Sequence, residues 1–243
     1  MLRFIWEIVF HLPTCIRFII KMHKYNKSDK YTYEEKHQCA RDVVNVIAKK
    51  GRVTVDVFGI ENIPKENGFV MYSNHQGKFD GLAIAGSFPN GCAIIVDEKR
   101  AKNFMFKQFI KLTGSKTLSQ SNYRKAINTF KKVEEEIKNK KKNYLIFPEG
   151  GYSNNKNTLI KFNTGCMKFV HRVKCPILPI CLYDTYKVYG VNSLKKVKCE
   201  VHYLTPILYE EYKDLNKSEL ADLVKSRIQN KLNEINESKG LAV

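Results

Sequence analysis

His75 and Asp80 stand five residues apart in the stretch Asn74-His75-Gln76-Gly77-Lys78-Phe79-Asp80. An imidazole takes and returns a proton near neutral pH, and a carboxylate beside it holds one ring nitrogen protonated while the other acts as base. The residues before the pair read as a strand, Phe69 to Tyr72, and those after it as a helix from about Phe79 to Phe88. The chain therefore turns between the two side chains, and the carboxylate can fold back onto the ring. At a helix N-terminus the dipole disfavours a cationic imidazole, which keeps such a base neutral. A second loop, Phe147-Pro148-Glu149-Gly150-Gly151, follows a strand from Tyr144 to Phe147. Its adjacent glycines permit close backbone approach to a ligand. Backbone N–H groups there, or at the Asn74 turn, could hold a developing oxyanion. Taken singly these signals are weak, since a His–Asp pair is more often a helix-capping arrangement and a glycine pair a bare turn.

The elements that must position these residues alternate. Thr32 and Glu35 have capping-box spacing before a helix whose stripe is Ala40, Val43, Val44 and Ile47, closed by Gly51. Val53 to Phe58, Cys92 to Val96, Ile177 to Tyr183 and Val197 to Leu204 read as further strands. Residues 99 to 112, closed by Gly114, and 122 to 139 read as helices, the second with Ala126, Ile127, Phe130, Val133 and Ile137 on one face. Asn216 and Glu219 cap a last helix running to about Ile235. This alternation predicts an α/β fold with a central, largely parallel mixed sheet flanked by helices. In such a sheet functional loops gather at the carboxyl ends of the strands, so the two loops should share one rim.

Length and composition fit one domain with an appendage: residues 51–243 as the main domain and 1–50 as an N-terminal amphipathic helical segment. Apolar residues at 43% exclude a disordered chain. The net charge of +18 favours an anionic partner, although a Lys-rich composition bias gives the same number. Only 8 of the 42 basic residues are Arg, the side chain that dominates base reading, and no nucleic-acid motif is present, so nucleic acid is not expected as a partner. Seven cysteines without a C-x-x-C pair point away from a disulfide framework and toward a reducing compartment. Cys166, His171, Cys175 and Cys181 match no zinc spacing and read as buried structural groups, so no metal is expected.

Residues 1–22 are the most apolar region, interrupted by Arg3, Glu7, His11, Arg17 and Lys21, with Pro13 expected to kink a helix. A spanning helix wants about 20 nearly uninterrupted apolar residues, and a signal peptide wants a cleaner run with a small-residue cleavage site. A bent helix in the membrane interface fits better, with Trp6 at headgroup depth, basic side chains reaching toward phosphates, and the Lys-rich stretch from Lys21 to Lys36 attracted to anionic lipid. The alternatives are a helix docked on the protein's own core, or an oligomer contact.

Asn74-His75 with Asp80, then Phe147-Pro148-Glu149-Gly150, then Pro176-Ile177-Leu178-Pro179-Ile180 occur in this order. Together they resemble the glycerolipid acyltransferase family that includes the 1-acylglycerol-3-phosphate acyltransferases, over about residues 53 to 207. The resemblance implies that His75 deprotonates an acceptor hydroxyl and that Asp80 orients His75. The oxygen then attacks the thioester of acyl-CoA or an acyl carrier protein. It implies an acceptor site drawn from Asn74, Gly77, Gln120, Arg124, Glu149, Gly150 and Gly151, with no metal or other cofactor and no covalent acyl-enzyme. A lysophospholipid acceptor, most simply 1-acylglycerol-3-phosphate, and a peripheral or monotopic place on the cytoplasmic face of a membrane follow from the same resemblance.

The family pattern is broken at two phosphate-binding arginines, replaced here by Gln120 and, in the loop after Glu149, by Tyr152, with Gly151 in place of a Thr. Either cations such as Arg124, Lys116, Lys156 or Lys161 hold the phosphate, or the acceptor is a headgroup-bearing lysolipid or another lipid hydroxyl. Lys lacks the bidentate fork of Arg, so the exchange is not neutral. Two other function classes compete. Gly151-Tyr152-Ser153 begins like a hydrolase nucleophile elbow but has Asn155 where the final Gly belongs. A non-catalytic basic membrane-binding module would use only the charge and the amphipathic N-terminus.

Overall fold

A computed structural model describes residues 2–102, 104–119, 121–140 and 142–241. In chain order its elements are α1 (Leu2–Phe10), α2 (Leu12–Lys27), α3 (Tyr33–Lys50), β1 (Val53–Phe58), β2 (Val70–Ser73), α4 (Asp80–Ser87), β3 (Ala93–Asp97), α5 (Phe104–Leu112), β4 (Lys116–Leu118), α6 (Tyr123–Lys138), β5 (Tyr144–Ile146), α7 (Lys168–Val173), β6 (Ile177–Tyr183), α8 (Tyr186–Gly190), β7 (Val197–Tyr203), α9 (Tyr209–Tyr212) and α10 (Lys217–Ser238). The capping boxes expected at Thr32 and Asn216 are both formed. The helix expected from 99 to 112 begins instead as a short 3-10 turn over Arg100–Lys102 before α5. Strand β4 is not foreshadowed by the sequence, since its three residues carry too little pattern for a period of two to show.

The strands form one sheet in the order β1-β7-β6-β2-β5-β3-β4. The β6–β7 pair is antiparallel and the other pairs are parallel, so the sheet is mixed and largely parallel, as expected. Side-chain alternation divides the core in two. Met71, Leu145, Leu178, Ile180 and Leu182 face one layer with α3 and α4, while Val70, Tyr72, Tyr144, Ile146 and Ile177 face the other with α6, α7 and α10. Buried strands of this kind read as continuous apolar runs, which explains why β2 and β6 stood out in the sequence. Helix α3 belongs to this core through Ala40, Val43 and Val44.

The N-terminal helices are docked, not extended. The chain breaks at His11, and Pro13 sits in the first turn of α2, where its missing N–H costs nothing, instead of kinking a helix from within. Arg3 was expected among basic groups reaching outward and is instead fully buried, donating to the carbonyls of Gly51, Val188, Ser193 and Lys195. These four carbonyls satisfy the guanidinium's donors, while burial still pulls its pKa below the usual value. Glu7, also buried, accepts from Tyr189 Oη at 2.8 Å. Trp6 stacks on Phe10 with ring centroids 4.0 Å apart. No helix of the described residues is long and apolar enough to cross a membrane.

Candidate active site

Strands β2 and β5 are parallel neighbours, paired from Val70–Tyr144 to Tyr72–Ile146. The loops that leave their carboxyl ends therefore meet, as the sequence predicted. Asn74 closes β2 with a wholly buried carboxamide, which donates to Leu182 O at 2.9 Å and accepts from Leu182 N at 2.8 Å. Gln76 is held from the same side, donating to Leu182 O at 2.8 Å and accepting from Thr185 N and Oγ1 at 3.0 and 2.8 Å. These bonds fix the turn, and α4 begins at Asp80 on its far side.

Asp80 is fully buried, and its Oδ2 meets His75 Nδ1 at 2.7 Å while also accepting from the N–H groups of Gln76 and Gly77. With two backbone N–H groups donating to it, Oδ2 acts as an acceptor toward the ring nitrogen as well. Nδ1 of His75 then carries the proton, and Nε2, on the other side of the ring, is free to accept one. The imidazole stacks on Phe147, centroids 4.3 Å apart, and meets Tyr152 edge-on at 4.7 Å.

Glu149 also turns inward. Its Oε1 accepts from His75 N at 3.1 Å, and Asn155 Nδ2 reaches Oε2 at 3.3 Å and His75 O at 3.2 Å. Burial pushes the Glu149 carboxyl up to about 7, against the pull of hydrogen bonds from the His75 and Ile160 N–H groups. Glu149 thus braces His75 from behind, a contact the sequence did not disclose.

His75 opens onto a cavity of about 1050 Å³. One wall is apolar, built from Ile94, Leu118, Ile127, Phe130, Ile146 and Phe169. Cations on its lining are Lys78, Arg100, Lys131, Lys168 and Arg172. Gly77, Glu149, Gly150 and Gly151 also line it, which places four of the expected acceptor residues at the cavity.

The remaining residues expected at the acceptor site stand elsewhere or lie outside the described residues. Asn74 does not line the cavity, because its amide is spent on Leu182. Arg124 is an exposed residue of α6 outside the lining. Lys116 is tied to Glu136 at 2.9 Å, and Lys156 and Lys161 are exposed residues that do not line the cavity. Gln120 lies outside the described residues. The N–H groups of the Asn74 turn are not open to an oxyanion, since those of His75, Gln76 and Gly77 are taken by Glu149 and Asp80. In the glycine loop Gly150 N–H is bonded to Phe147 O at 3.0 Å. Gly151 N–H has no acceptor among the described residues, and apart from its own chain neighbours none of their atoms lies within 4 Å of where a Cβ would stand.

Alternative nucleophiles are poorly placed. Cys166 lines the cavity, but burial pushes its thiol up to about 12 and Sγ is bonded to Asn163 O at 3.0 Å. A protonated thiol is a weak nucleophile. Ser153 is exposed, and its hydroxyl meets no base among the described residues.

The sequence model of the family described as Acyltransferase matches residues 54–183, which contain both loops. A 1-acyl-sn-glycerol-3-phosphate acyltransferase of Saccharomyces cerevisiae is 29% identical over 186 residues, covering 74% of this chain and 60% of that protein. The Escherichia coli protein of the same name is 27% identical over 167 residues, 68% of this chain and 67% of that one. This chain thus spans 60% of the length of the yeast relative. In fold it is similar to the crystal structure of the 1-acyl-sn-glycerophosphate (LPA) acyltransferase PlsC from Thermotoga maritima, with a TM-score of 0.68 at 22% identity over 94% of this chain and 90% of that one. With the family's sequence model covering more than half of the chain and both candidate loops, this protein belongs to the acyltransferase family.

Proposed function

We propose that this protein moves a fatty acyl group from a thioester donor, acyl-CoA or an acyl carrier protein, to the free hydroxyl of a lysophospholipid, most simply 1-acylglycerol-3-phosphate. The observation that carries the reading is the Asp80–His75 pair with its free imidazole nitrogen on an apolar-walled, cation-fringed cavity. The acceptor hydroxyl gives its proton to His75 Nε2 as its oxygen bonds to the thioester carbonyl carbon. The carbonyl oxygen becomes an oxyanion, for which Gly151 N–H is the available donor in the glycine loop. When that tetrahedral species collapses, the C–S bond breaks and the imidazolium returns the proton to the leaving thiolate. The products are an ester and a free thiol, and the base is restored. General-base help of this kind accelerates a reaction by about 10² to 10⁴-fold. Apolar walls suit the acyl chains, and the cations suit phosphate groups of donor and acceptor.

The surface of α1 and α2 supports action at a lipid interface. Ile5, Val9, Phe10, Leu12, Ile16 and Ile20 are each about half exposed or more. Such an apolar strip beside Arg17, Lys24 and Lys27 fits shallow insertion into an anionic leaflet. The test is a panel of lysolipid acceptors, with and without headgroups, incubated with radiolabelled acyl-CoA or acyl carrier protein and scored by product. Labelled diacyl phospholipid is expected. Labelled free fatty acid with no acylated acceptor would instead mark a hydrolase.

A further inference from the structure

Two arginines that the family pattern offers to the acceptor phosphate are absent from this sequence, one of them replaced by Tyr152. The fold brings a different arginine to that place. β3 runs parallel to β5, so the turn after β3 rises on the same rim as the His75 and Glu149 loops. Asp97 at the end of β3 fastens that turn, its Oδ1 accepting from Lys99 N at 2.9 Å and Arg100 N at 3.4 Å. From there the Arg100 guanidinium lies over the Tyr152 ring, 4.6 Å from its centroid, and donates through Nη1 to Tyr152 Oη at 2.9 Å. The same ring meets His75 edge-on, with centroids 4.7 Å apart. Arg100 and the general base therefore flank one tyrosine.

We infer that Arg100, held against Tyr152, binds the phosphate of the acceptor and sets its hydroxyl on His75. The inference rests on the acyl-transfer reading above and names the ligand of one part of that site. Cation–π contact and the hydroxyl bond use one face and one donor of the guanidinium; arginine carries five N–H donors, and its planar fork suits a phosphate. The neighbouring cation Arg172 is less available, because Glu134 clasps its Nε and Nη2. In a glycerol phosphate the phosphate and the free hydroxyl sit on adjacent carbons, so a base and a phosphate ligand separated by one aromatic ring match the molecule. Tyr152 in this sequence is then a platform for an arginine supplied from another strand, and its hydroxyl orients that arginine. The donor thioester carries phosphates too, so the source of the bound phosphate must be read separately.

The experiment compares wild type, Arg100→Gln, Arg100→Lys and Tyr152→Phe with lysophosphatidate, with phosphate-free monoacylglycerol, and over a range of acyl-CoA. Arg100→Gln is expected to raise KM for lysophosphatidate about 10- to 100-fold, the usual worth of a charge-assisted phosphate contact. KM for acyl-CoA and the rate with monoacylglycerol should stay at the wild-type level. Arg100→Lys should recover part of the loss, and Tyr152→Phe should show a smaller rise. Binding of a short-chain lysophosphatidate, measured by calorimetry without donor, reads the same site when no turnover occurs. Unchanged KM and affinity in Arg100→Gln would overturn the inference while leaving acyl transfer in place. A rise in KM for acyl-CoA alone would overturn it in favour of a donor-phosphate contact. Absence of transfer by wild type to every acceptor would overturn the acyl-transfer reading instead, with the calorimetry still deciding for or against Arg100.

Discussion

One oxygen of Asp80 gathers the His75 imidazole and two backbone N–H groups, and one oxygen of Glu149 takes the N–H of His75 itself. His75 is thus fixed both through its ring and through its backbone. Glu149 carries a cost for this place. Its carboxyl is raised from 4.5 to about 7 by burial. Below pH 4.5 folded and unfolded chains both hold the proton and the group contributes nothing. Between pH 4.5 and 7 the unfolded chain releases it first, so wild type loses stability as pH rises, by up to about 3 kcal/mol before solvent screening reduces the figure. Glu149→Gln stays neutral and keeps an oxygen for His75 N–H. Urea unfolding from pH 5 to 8 should therefore show the variant gaining on wild type with rising pH, and a constant difference would contradict the buried, costly carboxylate. His75 and Asp80 were legible less from their spacing, which is weak alone, than from the Phe147-Pro148-Glu149-Gly150 loop and the Pro176–Ile180 strand following them in order. Arg100 was not, because its relation to His75 runs through sheet order and has no fixed sequence spacing.

At the scale of elements, helical periodicity identified the apolar face of α6 but not what that face meets. Val133 and Ile137 are buried in the core, whereas Ile127 is 38% exposed and, with Phe130, forms cavity wall. A stripe that faces packed side chains and one that faces a ligand have the same period. The N-terminal helices divide in the same way: Arg3 and Glu7 turn inward and anchor α1, while the apolar residues face out. Removing the helices would break that buried anchorage as well as any lipid contact, so substitution is the cleaner test. The triple variant Phe10→Ser, Ile16→Ser, Ile20→Ser changes exposed side chains only and should shift folding stability little. Its sedimentation with phosphatidylglycerol vesicles is expected to fall at least about tenfold. Equal sedimentation of wild type and variant would exclude this surface as the lipid contact.

Over the whole molecule the site exists because β2, β5 and β3 lie side by side and parallel, so three loops distant in sequence rise on one rim. The first loop supplies the His75 imidazole, the second Glu149 and the glycine backbone, and the third Arg100. The alternating pattern of elements made the shared rim predictable, since parallel neighbours must send their carboxyl ends the same way. Which strands are neighbours was not predictable from apolar runs alone. The most direct measurement is the initial rate of labelled acyl transfer from acyl-CoA to lysophosphatidate by wild type and His75→Ala, with thermal unfolding followed on the same samples. If His75 is the general base, the rate falls by about 10² to 10⁴-fold while the unfolding midpoint stays near that of wild type. A His75→Ala protein that transfers acyl groups at the wild-type rate would contradict that role.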